Sequence, residues 1–256
     1  MDGRFARQVV LPELGEEGQR RLGEARVLVA GCGALGTHTA SALLRAGVRR
    51  LVLVDRDVVE RSNLHRVAAF TQDDVGKPKA QALASYLLRI DPGAEVKPHV
   101  AHLGPEEAEA IIPEVDLVVD GLDNLETRYL VNDVCVKHGV PWIYTAVLAT
   151  YGMTMPIIPE EGPCLRCLFP TPPPAGSLPT CATAGILGPV PQALAALQAT
   201  LAIQVLLGSS ELRPGELVHV DLWARRMSTL AVERASDCPT CGRREFEFLN
   251  LDEAAH

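Results

Sequence analysis

The sequence has no surplus of positive charge: 24 Lys and Arg stand against 32 Asp and Glu, a net charge of −8. That argues against a protein gripping nucleic acid through a broad cationic surface. No uninterrupted apolar run reaches the roughly 20 residues that cross a bilayer. The opening stretch MDGRFARQVV lacks the basic-then-apolar order of a secretory leader, so a cytoplasmic protein free of membrane is the expectation. Seven cysteines are odd in number for a disulfide framework, and a chain of 256 residues is too large to need one. There is no G-x-x-x-x-G-K-[ST] phosphate loop, no internal repeat and no flexible linker between domains.

What is present is a 47% hydrophobic chain, enough for one substantial core. Helix-compatible and strand-compatible stretches alternate along the first 150 residues. Strands are predicted over Arg26–Gly31, Leu51–Val54, Glu95–Val100, Asp116–Asp120 and Pro141–Val147. Helices are predicted over Leu11–Glu24, Ala34–Ala46, Lys77–Ile90 and Leu125–His138, with Gly47 and Gly139 as terminators of two of them. This order predicts an α/β fold, a Rossmann-like, doubly wound and mostly parallel sheet. Beyond Thr150 the texture changes. Met153–Ile158 reads as an added strand, Phe169–Thr183 as an irregular, mobile loop, and Pro191–Leu207 as a long apolar helix. Leu217–Trp223 and Ser228–Glu233 suit a closing antiparallel hairpin. One domain over residues 1–256 is the economical reading, with a nucleotide-binding half over about 1–150 and a metal-stapled end within about 151–256.

The first strand runs into VAGCGALG, a G-x-G-x-x-G loop. Gly31 permits the tight turn, Gly33 lets backbone N–H groups approach a phosphate, and Gly36 lets helix and strand pack closely. Asp55 follows at the spacing of a ribose-binding carboxylate. Beyond it, Asn63, Arg66 and Lys79 can return toward phosphates, and Asp123 and Asn124 end the fourth strand. Arg forks and Lys point charges suit a triphosphate, and a carboxylate among them makes sense if Mg²⁺ bridges it to the phosphates. Cys164-x-x-Cys167 and Cys238-x-x-Cys241 are spaced as four thiolate ligands of a structural Zn²⁺. Cys32 and Cys135 read as packing residues, whereas Cys181 lies in a Pro/Gly/Thr stretch where burial gains a thiol little.

Taken together, RFARQ, GCGALG, VDRD, SNLHR, GKPK, Asp123-Asn124, PCLRC, TCATAGILGP and CPTC resemble the ThiF/MoeB/HesA family. Its members are bacterial relatives of ubiquitin-activating E1 enzymes, and the likeness covers Arg4 to about Cys241. The resemblance implies an ATP-dependent adenylyltransferase. Its substrate would be the carboxyl-terminal glycine of a small ubiquitin-like sulfur carrier ending in Gly-Gly, and pyrophosphate would be released. It implies that Asp55 holds the ribose, that Asn63, Arg66 and Lys79 hold phosphates, and that Asp123 binds Mg²⁺ or orders the phosphates. It further implies a homodimer in which Arg7 reaches the neighbouring site, a dimer helix in the second half, and a Cys181 that in some relatives links covalently to the carrier. Three departures stand out: His65 where relatives mostly have Gln, Val67 where Gln is common, and Pro191 in a segment that is often glycine-rich. No rhodanese domain follows the second cysteine pair, so sulfur is expected from a separate protein. The glycine loop is shared with NAD(P)-dependent oxidoreductases, which keeps that class open. Activation of a peptide or amino-acid carboxylate, and a nucleotide-holding module without chemistry, also remain open.

Overall fold

The computed structural model describes residues 3–174 and 177–250. Helix α1 (Gly15–Glu24) leads into strand β1 (Arg26–Ala30), then α2 (Ala34–Ala46) and β2 (Arg50–Val54). After α3 (Lys79–Ile90), β3 (Glu95–His99) and α4 (Pro105–Ile111) come β4 (Leu117–Asp120), α5 (Leu125–His138) and β5 (Trp142–Leu148). The second half holds β6 (Tyr151–Ile157), the short helices α6 (Leu165–Leu168) and α7 (Cys181–Ala184), the long α8 (Pro189–Leu207), and the hairpin β7 (Glu216–Asp221) and β8 (Arg226–Ala231). All eight strands join one sheet in the order β3-β2-β1-β4-β5-β6-β7-β8. The first five are parallel and the last three antiparallel, the doubly wound sheet with an antiparallel addition that the sequence predicts.

The burial pattern follows position in the sheet. Val27, Leu28, Val29, Val118 and Val119 are fully buried because helices cover both faces of the central strands. β3, which carries Pro98, is an edge strand and mostly exposed, as a residue without a backbone donor requires. The register fixes where ligands can meet the protein. Ala30 lies opposite both Val54 and Asp120, so the chain leaves three neighbouring strands at one level. Gly31, Asp55 and Gly121 therefore emerge side by side, and Gly31 N–H and Gly121 N–H donate back to the carbonyls of Val54 and Ala30.

Several expectations change in detail: α1 starts at Gly15 and not Leu11, β8 spans Arg226–Ala231 and not Ser228–Glu233, and α4 is an additional helix. β6 starts at Tyr151, two residues before the predicted strand, because Ala149 and Thr150 make a tight reversal that pairs Leu148 with Tyr151. The segment after Phe169 is less irregular than its composition suggests. Thr180 and Thr183 form a capping box around α7, and Ala149 pairs with Ile186, tying the segment to the β5–β6 turn. Ala175 and Gly176 lie outside the described residues. Helix α8 is long and apolar enough, by length and composition alone, to cross a membrane. Here it lies against α2, β5 and β6, with Val190, Leu194, Ala195, Ala199 and Ala202 buried. Its one fully buried polar residue, Gln198, exchanges hydrogen bonds with Thr39 and with the carbonyls of Asp120 and Ile143.

Candidate active site and cysteine cluster

The glycine loop has the geometry its spacing predicts. Gly31 has φ +92°, and a Cβ there would run into Gly121 of the neighbouring loop. A Cβ on Gly36 would collide with the Gly31 carbonyl, whereas one on Gly33 would meet nothing nearer than 3.9 Å. The loop is thus closed behind and open in front. α2 begins at Gly33 with no side-chain cap, so its first N–H groups face the open side without a competing acceptor.

Asp55 stands beside this opening. Its two oxygens accept from the N–H groups of Cys32 (2.7 Å) and Asp57 (2.8 Å), which fixes the carboxylate across the loop. Burial nevertheless raises its pKa, those two backbone bonds working against the shift. Each oxygen keeps a lone pair for a further donor such as a ribose hydroxyl. Lys79 Nζ donates to Asp57 Oδ2 at 2.7 Å, so the lysine is held next to Asp55 by a half-exposed and replaceable partner.

The 60–66 segment folds over the start of α2. Asn63 Oδ1 accepts from Glu60 N–H, closing a capping box, and His38 Nε2 lies 3.1 Å from the Arg66 carbonyl. Arg66 Nη1 donates to the Ser62 carbonyl at 2.7 Å and approaches His65 Nε2 at 2.9 Å. His65 also abuts Gly188, where α8 begins. Asp123 is exposed at the end of β4, and Asn124 caps α5 by accepting from Thr127 N–H at 2.9 Å. The Asn124 side-chain oxygen is committed to that cap.

Cys181 is brought to the same place. Its Sγ lies 3.9 Å from the Val147 carbonyl near the end of β5, and burial raises its thiol pKa. Arg7 is exposed and makes no hydrogen bond or ion pair with another candidate residue among the described residues. Sequence reasoning passes over two residues here. Asp57 anchors Lys79 from 22 positions away, and Arg128 lies buried against Asp120. An Arg inside a helix ordinarily signals a solvated face, and nothing in the local pattern marks this one as buried.

The four cysteines of the two pairs converge. Cys164 and Cys238 sulfurs are 3.6 Å apart, Cys167 and Cys241 sulfurs 3.4 Å, and all four lie within 4.8 Å of one another. Thiolates on a tetrahedral zinc stand about 3.8 Å apart, so the donor set fits that ion with no position left open. The cluster is seated on α5: Leu165 N–H donates to Asn132 Oδ1, and Thr240 Oγ1 and Phe248 N–H donate to the Asp133 carboxylate. Cys32 and Cys135 are fully buried in the apolar cores, as expected of packing residues.

Against known proteins, a family model described as the ThiF family matches residues 5–240. The SAMP-activating enzyme E1 of Haloferax volcanii is 41% identical over 239 residues, covering 93% of this chain and 88% of that protein. A sulfur carrier protein adenylyltransferase of Thermus thermophilus is 42% identical over 244 residues, covering 93% of this chain and 90% of its own length. Among solved structures, Escherichia coli MccB with ATP superposes with a TM-score of 0.82 over 94% of this chain and 75% of that one; at 22% identity the likeness is one of fold.

Proposed function

The chain belongs to the ThiF family, and from that premise we propose that it is an ATP-dependent adenylyltransferase acting on a small ubiquitin-like sulfur carrier. The observation that supports this reading is the open glycine loop with Asp55 bonded to its Cys32 N–H and Lys79 beside Asp55, in a chain about 40% identical to sulfur-carrier adenylyltransferases. Dinucleotide-binding oxidoreductases share the glycine loop and the ribose carboxylate; the further cations favour a triphosphate.

In this reading Asp55 takes the ribose hydroxyls, and the Gly33 side of the loop takes phosphate through the free N–H groups of α2. Lys79 leaves Asp57, and Arg66 leaves Ser62, when a triphosphate offers more charge than either partner. The carrier's terminal carboxylate is already ionised at neutral pH, so its attack on the α-phosphorus needs no general base. The bond from the α-phosphorus to the bridging oxygen breaks as the acyl–phosphate bond forms, and the cations neutralise the charge building on the pyrophosphate. Asp123, a single exposed carboxylate, fits the one-carboxylate-plus-phosphates habit of Mg²⁺, which would neutralise phosphate charge at that position. The enzyme works as a cytoplasmic homodimer with Arg7 completing the partner's site, and a separate protein supplies the sulfur. Zn²⁺ fills the cysteine cluster. Cys181 stands where an acyl-adenylate would be made, as a thiol able to take the acyl group with AMP as leaving group.

The test is ATP–pyrophosphate exchange against a panel of small proteins ending in Gly-Gly. Exchange that depends on one of them supports the reading, and NAD-linked turnover without any exchange would overturn it.

A further inference from the structure

Asp123 carries the proposed metal role but is itself exposed, in the short loop after β4, where its Oδ1 accepts only a long 3.3 Å hydrogen bond from Asn124 Nδ2 among the described residues. The residue before it is held from both sides. Leu122 N–H donates to Asp120 Oδ1 at 2.9 Å, and the Leu122 carbonyl accepts from Arg128 Nη2 at 2.6 Å. The same Nη2 reaches the Thr145 carbonyl of β5 at 3.0 Å, and Arg128 Nε closes the ring on Asp120 Oδ2 at 2.9 Å. The side chains of Arg128 and Asp120 are 8% and 0% exposed. The guanidinium also lies over the Tyr144 ring, 5.6 Å from its centroid. On the other side of Asp123, the Asn124 cap fixes the first turn of α5.

We propose that Arg128 is a positioning residue for the adenylation reaction: its buried fork locks both backbone groups of Leu122, with Asp120, and so sets where Asp123 points. The proposal rests on the reading that Asp123 serves the bound triphosphate. A buried ion pair is weak evidence of a stability role, because an apolar pair of similar volume often folds as well. What the pair does here that an apolar pair would not is hold the Leu122 and Thr145 carbonyls and the Leu122 N–H at once. A lysine keeps the charge but offers a point donor in place of the planar fork, so it cannot span Asp120, Leu122 and Thr145 together.

Removing the guanidinium alone leaves Asp120 buried and unpaired, which would destabilise the fold for a trivial reason. The informative variant is Asp120→Asn/Arg128→Gln, which removes both charges, with Arg128→Lys beside it. The first readout is hydrogen–deuterium exchange of the unliganded protein. Both variants should exchange about tenfold faster over 121–124, with the peptides of α2 and of the cysteine cluster unchanged. The second is ATP–pyrophosphate exchange with carrier, which should fall by about a hundredfold with a higher requirement for Mg²⁺, the cost of a misplaced carboxylate. Unchanged protection over 121–124, or a wild-type exchange rate in the double variant, overturns the proposal. So does loss of protection throughout the chain in both variants, which would make Arg128 a strut of the core. A wild-type protein that exchanges no pyrophosphate with any carrier would sink the adenylation reading instead, while loop protection still reports whether Arg128 holds Leu122.

Discussion

The strand-end site and the cysteine cluster are built on opposite terms. At the strand ends, Lys79 and Arg66 rest on Asp57, Ser62 and His65, partners that a phosphate can displace. At the cluster, four sulfurs close on one another, and Asn132 and Asp133 in the middle of α5 accept one hydrogen bond from each cysteine knuckle and a third from Phe248 N–H. One region keeps its polar groups available, and the other uses them up. The difference separates chemistry from support: damage to the first should slow the reaction in a folded protein, and damage to the second should unfold it. Helix α5 links the two, since its Asn124 cap adjoins Asp123 and its Asn132 and Asp133 seat the cluster about two turns on.

The comparison breaks if either region behaves like the other, and the largest expected effect is at the strand ends. Asp123→Ala should lower carrier-dependent pyrophosphate exchange by about a hundredfold or more with an unchanged melting temperature, because an exposed carboxylate supports chemistry and not packing. A melting temperature that falls with the rate would mean the loop is structural. At the cysteine cluster, Cys238→Ser should lower the melting temperature by about 10 °C or more, given several kcal/mol lost and 2–4 °C per kcal/mol for a chain of this size. Metal analysis of freshly purified protein should return one zinc per chain, and well under one equivalent would count against the site.

Smaller effects sharpen the picture. Mixing Arg7→Ala and Asp123→Ala chains should recover about a quarter of the wild-type rate, since half the random dimers are mixed and each has one complete site. No recovery despite mixed dimers would confine Arg7 to its own chain. The smallest effect belongs to Cys181. Its serine variant should exchange pyrophosphate within about twofold of the wild type, because a thiol acts only after the adenylate exists. Burial raises the thiol pKa, so the reactive thiolate is scarcer at pH 8 than on a free cysteine. Alkylation of Cys181 in the unliganded protein should therefore lag a free thiol at pH 8 and catch up as pH rises past the ordinary value. Equal rates at pH 8 would contradict its half-buried setting.

Much of this was legible in the residues. The Val and Leu runs of β1, β2 and β4 are buried on both faces, so their composition alone identifies central parallel strands. The glycine loop and the two C-x-x-C pairs were equally plain, because backbone approach and thiolate ligation demand fixed spacing. The ordering of α7 was not, because beside its own Thr180–Thr183 capping box it depends on a tie through Gly185 and Ile186 to Ala149 in a distant turn. Asp57 and Arg128 were hidden for the same reason. Their partners, Lys79 22 positions on and the carbonyls of Leu122 and Thr145, become neighbours only when the sheet aligns its strand ends. Asn63 and Asn124 were visible as candidates, but the side-chain oxygens of both are taken up by local caps.

The most direct measurement is the intact mass of a Gly-Gly carrier incubated with the protein, ATP and Mg²⁺ without a sulfur source. The account predicts a carrier bearing one AMP on its terminal glycine, and no adduct on a carrier lacking that glycine. Absence of the adduct from every carrier tried, or AMP placed elsewhere on the carrier, would contradict it.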